Sequence, residues 1–487
     1  MENLQLLLFF IIFLATALAM FFRLIPALLA LPLMAFLIPL AAGVSVNDTI
    51  HYVIGEGAIK LHNAYTVAIF GSMLSILLQK TGVAQSFIKK GAELAGDNPF
   101  IIAIIMIALI AMLFTTLGGL GAIIMVATIV LPIMSSVGMG SMTVVGIFLF
   151  GLSMGGILNA GNWAVYVDVM GLSVAEIRPF ALTVFGITFI TSMIYIGIQL
   201  YRDGHDLNLK KIFIVFSLFI IMLILIAVVI FVLPQKDIDQ VKTIINATGE
   251  VFKWFIAVII MLLFSLSALH MFGIKKHNIQ HIYWTAYFSP LIPLFLILFF
   301  DMNFIAAFIS GLLFGFMATY KKGGMNTFIR SVLEGGGVVM PAVVLMFGIG
   351  MLLNAIMGPS QGWSDGWPVL NLLQPFLMKI IPTNGWMFVL IFALLAPLAL
   401  YRGPLNVWGM GYGLAAVFLA SGMNPGAVMG LLMSVGQIQG ISDPTNTHNV
   451  WLANEMQQDV QKVLWNTIPY TWSLSVIALI VAALMFF

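Results

Sequence analysis

The chain contains no cysteine in its 487 residues, which excludes disulfides, thiolate metal sites and cysteine nucleophiles. Charge is almost as scarce. Asp, Glu, Lys and Arg supply 8% of residues, against roughly 25% in soluble domains, while 62% are hydrophobic. That composition excludes a soluble globule. A formal charge of +2 leaves no basic footprint for nucleic acid, so no nucleic-acid partner is expected. There is no G-x-x-x-x-G-K-[ST] phosphate loop and no long polar segment to house a nucleotide-binding domain, which argues against an ATP-driven pump. Paired catalytic carboxylates, a His-rich metal motif and a Ser/His arrangement are all missing, so no enzyme is expected. His51, His62, His270, His277 and His281 form no metal-ligand spacing.

What is present is a succession of apolar runs of about 20 residues, the length that crosses a bilayer. The expected spans are 5–22, 24–43, 63–79, 179–200, 211–233, 252–269, 281–299, 302–319, 337–357 and 463–487, with two broken spans at 141–170 and 425–453. Ala17-Leu18-Ala19 resembles a signal-cleavage site. No basic residue precedes that apolar run, however, so it reads as a span. The segments 99–137 and 384–420 read as re-entrant hairpins, because each arm of about 16 residues is marginal for a crossing. Their tips, Thr115 to Gly121 and Tyr401 to Asn406, place Gly, Pro and polar groups at membrane depth, which requires burial in protein or a wet cavity.

Charge asymmetry supports this count. If both hairpins return to the side they entered from, Arg23, Lys80 with Lys89 and Lys90, Arg202 with Lys210 and Lys211, Lys275 with Lys276, and Lys321, Lys322 and Arg330 share one side. Both termini are then outside, in a multi-pass protein of the cell membrane. The Trp-rich loop 358–383 suits an outer headgroup region. The amphipathic stretch 80–98 suits the inner interface.

The second half also echoes the first. A shift of 284 positions lays Gly138-Met139 on Gly422-Met423, Gly146 on Gly430, Gly156-Ile157 on Gly440-Ile441 and Asn162 on Asn446. Both copies interrupt an apolar run with polar residues, Asn159-Ala160-Gly161-Asn162 and Asp443-Pro444-Thr445-Asn446. The expected fold class is an all-α polytopic membrane protein with an inverted repeat. Each repeat has about five spans and one hairpin, with two linking spans and two broken helices that meet at the midplane. The repeats are 1–200 and 281–487, joined by 201–280. Paired interruptions in two halves are the sequence pointer to a transporter's binding site.

Broken helices expose N–H groups at one stump and carbonyls at the other, which attract anions and cations respectively. Thr115, Thr116, Asn159 and Asn162 form one candidate shell, and Asn406, Asp443, Thr445 and Asn446 the other. Such oxygen-rich shells suit Na⁺ or a polar substrate. The alternative is simple helix capping, which Asn and Asp favour. Arg402 is the sharpest residue: an intramembrane guanidinium is costly, and its fork matches a carboxylate or phosphate. It either clamps an anionic substrate or pairs structurally with Asp443. Asn162, Asp168, Asp443, Asn446 and His448 are the candidates for ion or proton coupling. Trp163 and Trp408 flank the breaks and either wall the cavity or pack the core. Glu56 and Glu334 read as interfacial.

Inverted repeats that each carry a hairpin and then a broken helix resemble the ion transporter superfamily, which includes divalent-anion/sodium symporters and citrate and gluconate permeases. The divalent-anion branch carries Ser-Asn-Thr at each tip and break. Here Thr115-Thr116, Asn159 to Asn162, Arg402 to Asn406 and Asp443 to Asn446 stand instead. The resemblance implies a homodimer, with 1–43 and 281–319 in a scaffold. It also implies that 63–200 and 337–487 form a mobile body moving as an elevator. The expected function is secondary transport of a small organic anion, a carboxylate, coupled to Na⁺ or H⁺, with no cofactor beyond a coupling Na⁺. The alternative is a cation/proton antiporter using Asp443 and Asp168.

Overall fold

The computed structural model describes residues 2–21, 24–206, 235–273, 282–321, 323–359, 363, 366–377, 381–382, 384–407 and 411–487. Every regular element among them is helical. Six of these helices are long and apolar enough to cross a bilayer, or seven when the bent pair Ser141–Ile157 and Ala160–Met170 counts as one span. Twelve spans were expected; one of the six, Gly385–Arg402, is instead an arm of the second expected hairpin, and the remaining difference has identifiable causes. The expected span 211–233 and Trp408 lie outside the described residues. Other spans are short: Ala27–Ala41 and Phe304–Ala318 have 15 residues each, and Leu291–Phe300 has 10. Ten residues rise only ~15 Å, half of a ~30 Å hydrocarbon core. The expected span 281–299 is instead a 3-10 turn, Trp284–Phe288, then this short helix, which ends at Asp301 with φ 47°.

Several helices are longer than expected, Gln235–Met271 with 37 residues among them, and two more pack together. Val46–Lys80 runs 35 residues, with a π-helical stretch at Thr49–Gly55 and a turn at Lys60 and Leu61 before the helix His62–Lys80, and Gly324–Met357 runs 34. Their first turns were hidden because Asp48, His51 and Glu56, and likewise Arg330 and Glu334, interrupt the apolar pattern without stopping a helix. The two helices pack antiparallel. Gly57 lies against Gly350 and Met351, and Gly335 against Ser72 and Met73. A side chain at Gly57 or Gly335 would strike the opposite backbone, so glycine is what permits this approach. Lys60 Nζ donates to Asn354 Oδ1 at 2.7 Å near one end of the pair, and Lys80 pairs with Glu334 near the other.

Around this pair, Ala27–Ala41 packs Leu31 and Pro32 on Gly348, while Phe304–Ala318 packs Phe308 on Gly71. The amphipathic stretch forms Val83–Ala95, burying Ala84 and Ile88 and exposing Lys89, Lys90 and Glu93. The first hairpin has arms Pro99–Phe114 and Leu120–Ser136. Asn98 starts it, accepting from Phe100 and Ile101 N–H at 3.0 and 3.2 Å, with Pro99 in the first helical turn. Gly119, at φ 83°, turns the tip. The second hairpin has a first arm of Gly385–Leu395 continued by a 3-10 stretch, Ala396–Arg402, and a second arm of Tyr412–Ala420. Each hairpin is followed by a broken helix and a closing helix, Val174–Arg202 or Val460–Phe486.

Trp367 of the Trp-rich loop is 3% exposed, and its indole donates to the Ala355 carbonyl at 2.7 Å, so it seals the end of Gly324–Met357 rather than facing headgroups.

Candidate functional site

Both hairpin tips and both helix breaks line one cavity of about 510 Å³. Thr116 to Leu120 enter from the first tip, and Arg402 and Asn406 from the second. Gly156, Asn159, Gly161 and Asn162 enter from the first break, and Gly440, Asn446, Thr447 and His448 from the second. The long antiparallel helices close it with residues 67–72 and 338–346.

At the first break, Ser141–Ile157 ends and Ala160–Met170 begins with a bend of 46°. Asn159 caps the second piece, its Oδ1 accepting from Gly161 N–H at 2.9 Å and Asn162 N–H at 3.4 Å. Its Nδ2 donates to the Phe114 carbonyl at 3.0 Å, where the first hairpin arm ends. One amide therefore serves the break and the tip together. Asn162 Nδ2 donates to the Gly156 carbonyl at 2.8 Å, and the Trp163 indole to the Ile157 carbonyl at 2.8 Å. These bonds satisfy carbonyls left open at the stump. Trp163 is 1% exposed and belongs to the core.

The second break repeats part of this geometry at the 284-residue offset. Asn446 Nδ2 donates to the Gly440 carbonyl at 3.0 Å, the counterpart of the Asn162 bond. Asp443, the counterpart of Asn159, accepts from Thr445 N–H at 2.9 Å, as Asn159 does from Gly161. Its hairpin contacts are reversed in sense. Asp443 accepts from Tyr401 N–H at 3.0 Å, Arg402 N–H at 3.2 Å and Asn406 Nδ2 at 3.0 Å, with Thr445 Oγ1 donating at 2.7 Å. The carboxylate is fully buried, and these donors take the place of a counter-ion. They also hold a strained turn: Tyr401 and Arg402 have φ of 56° and 53°, left-handed values that cost non-glycine residues about 1 kcal/mol or more.

The expected pairing of Arg402 with Asp443 thus exists through the main chain. The guanidinium forms no ion pair among the described residues. It is exposed to the cavity, and Nη2 donates to Thr447 Oγ1 at 3.3 Å. Thr447 opens the helix Thr447–Glu455, which starts three positions later than its counterpart: Thr447 matches Trp163 (447 − 284 = 163), whereas the first helix begins at Ala160. That late start leaves Thr447–Glu455 with no side-chain cap among the described residues, its N-terminus beside Arg402.

Of the expected site residues, Thr116, Asn159, Asn162, Arg402, Asn406, Asn446 and His448 line the cavity. Thr115, Asp443, Thr445 and Asp168 stand outside it. Thr115 Oγ1 donates back to the Met112 carbonyl at 2.7 Å. Asp168 instead caps the helix His62–Lys80, accepting from Ala64 N–H at 3.0 Å and Asn63 Nδ2 at 2.9 Å. Glu334 is drawn into the ion pair with Lys80, and Glu56 lies 3.9 Å from His51. Four polar lining residues are not singled out by the sequence: Ser72, Ser153, Gln437 and Thr447. The amide of Gln437, on the π-helical stretch Leu432–Gln437, lies against Gly156 of the other break. A polar residue in an apolar run one turn before a break was the available signal. Among the described lining residues, Arg402 is the one with a permanent charge, and no carboxylate lines the cavity.

Among the described residues, apolar helices long enough to cross a bilayer surround a cavity where tips and breaks meet, the build of a multi-pass membrane protein. No protein-family model matches the sequence, and no curated protein does. Among solved structures, the crystal structure of the Alcanivorax borkumensis YdaH transporter, described as having an unusual topology, is similar. It aligns with a TM-score of 0.54 at 12% identity, over 90% of this chain and 88% of that one. At that identity the likeness shows a shared fold.

Proposed function

We propose that this protein is a secondary active transporter of a small organic anion, a carboxylate, coupled to Na⁺ or H⁺. The observation that carries the reading is the convergence of two tips and two breaks on one cavity whose fixed charge is a single guanidinium. An uncapped helix N-terminus beside that guanidinium adds partial positive charge where a carboxylate would sit. The fold shared with YdaH, itself described as a transporter, points the same way.

Asn162 and Asn446 border the cavity beside stump carbonyls and are the residues to hold a coupling Na⁺, while His448 is the residue to carry a proton. An inverted repeat is supported by the antiparallel long helices and by the matched Asn162 and Asn446 bonds. In an elevator movement the hairpins and broken helices would slide, with their substrate, against the scaffold. A homodimer in the cell membrane follows from the resemblance to the ion transporter superfamily. Cation/proton antiport would need a carboxylate facing the cavity. Asp443 and Asp168 are instead engaged by N–H donors and stand outside it.

The test is substrate-induced current in proteoliposomes across mono-, di- and tricarboxylates, with Na⁺ and pH varied independently. Currents driven by organic anions and lost in Arg402→Ala support the proposal. Cation-dependent proton flux without organic substrate would replace it with the antiporter.

A further inference from the structure

We infer that the transported anion is an amphipathic monocarboxylate, with one anionic head and an apolar body. The inference rests on the transporter reading above and comes from a difference between the walls of the cavity. The wall built by the second tip and second break carries Arg402, Asn446, Thr447 and His448. The wall built by the two long helices carries Val67, Ala68, Val338, Val339, Ala342 and Met346, with Ser72 as its polar exception. Phe114 and Phe308 extend the apolar surface.

The charge count sets the number of acidic groups. Arg402 is the one fixed cation among the described lining residues, and it has no acidic partner there. The lysines of the nearby long helix are committed elsewhere, Lys60 to Asn354 and Lys80 to Glu334. A second carboxylate would meet either the apolar wall or neutral polar groups, of which the Asn162 and Asn446 amides are already bonded to stump carbonyls, and would lose its hydration without gaining a fixed cation. A volume of about 510 Å³ is that of an organic ligand site rather than a bare inorganic ion site. A small hydrophilic acid would leave the apolar wall unused. An acid with several methylenes or a ring would cover it.

Calorimetric titration of the purified protein with acetate, butyrate and hexanoate, and with succinate, glutarate and citrate, tests this directly. Affinity should rise about fourfold per added methylene until the apolar wall is covered. A dicarboxylate should bind at least about tenfold more weakly than the monocarboxylate of equal length. A Val338→Thr/Val339→Thr variant, which keeps the volume, should flatten the methylene dependence. Tighter binding of succinate or citrate, no chain-length dependence, or an undiminished dependence in the Thr variant would overturn the inference while the transporter reading stands. Binding of none of the carboxylates would instead remove the organic-anion reading itself.

Discussion

At the first break a neutral amide donates to the carbonyl that ends the hairpin arm; at the second a carboxylate accepts from the N–H groups of a turned hairpin tip. Both joints close the same gap. What differs is which backbone groups the hairpin presents, and the side chain at 159 or 443 follows from that. The first tip ends in helix, so carbonyls are open. The second ends in left-handed residues, so N–H groups are open. The asymmetry of Asn159 and Asp443 therefore reports hairpin geometry, and the free charge left in the cavity is that of Arg402. The sequence places both residues at one candidate site, whereas the structure divides them into a joint and a cavity-facing group.

Four sets of variants would break or sharpen this contrast. The largest effect belongs to the cavity-facing group. Arg402→Ala should lower kcat/KM for organic-anion uptake at least about 30-fold, as expected when a sheltered anion loses its cation. Next come the joints. Asp443→Asn should destabilise the fold by about 2–3 kcal/mol, because two backbone N–H groups lose a charged acceptor, and Asn159→Asp by about 1–3 kcal/mol, because it sets an oxygen against the Phe114 carbonyl. Combining them should not rescue either, since the donors and acceptors that decide the matter lie on the hairpins. Thermal melting in detergent measures all three. If Asp443→Asn melts like wild type yet abolishes transport, Asp443 is an ion site and the division fails. Smaller again, Asn162→Ala and Asn446→Ala should each cost about 1 kcal/mol and resemble one another, since they remove equivalent bonds. Last, Asp168→Ala should cost about 1 kcal/mol as a lost helix cap and leave the ion-to-substrate ratio of transport unchanged.

The sequence carries the location of the hairpins and breaks because polar clusters such as Asn159 to Asn162 stand out in an apolar run, and because arms of 16 and 17 residues are marginal for a crossing. Seven of the expected cavity residues are legible for the same reason. Helix ends are less so, since Glu56 and Glu334 look like boundaries but continue helices. The late start of Thr447–Glu455 could not be read, because Asp443 is shared between the hairpin N–H groups and its own Thr445 N–H. Nor could the cap role of Asp168, which requires knowing that residues 63 and 64 lie against it.

The two joints also bear on how the chain assembles in the membrane. Phe114 waits 45 positions for Asn159, and Tyr401 waits 42 for Asp443, so each tip is sealed by a residue from its own half. During synthesis a hairpin entering the bilayer carries unsatisfied backbone groups until the following broken helix arrives, and it must remain hydrated for that interval. The first half can complete its joint before any of the second is made. A chain truncated between residues 407 and 443 would keep one sealed hairpin and one open one, and the open one is where quality control would act.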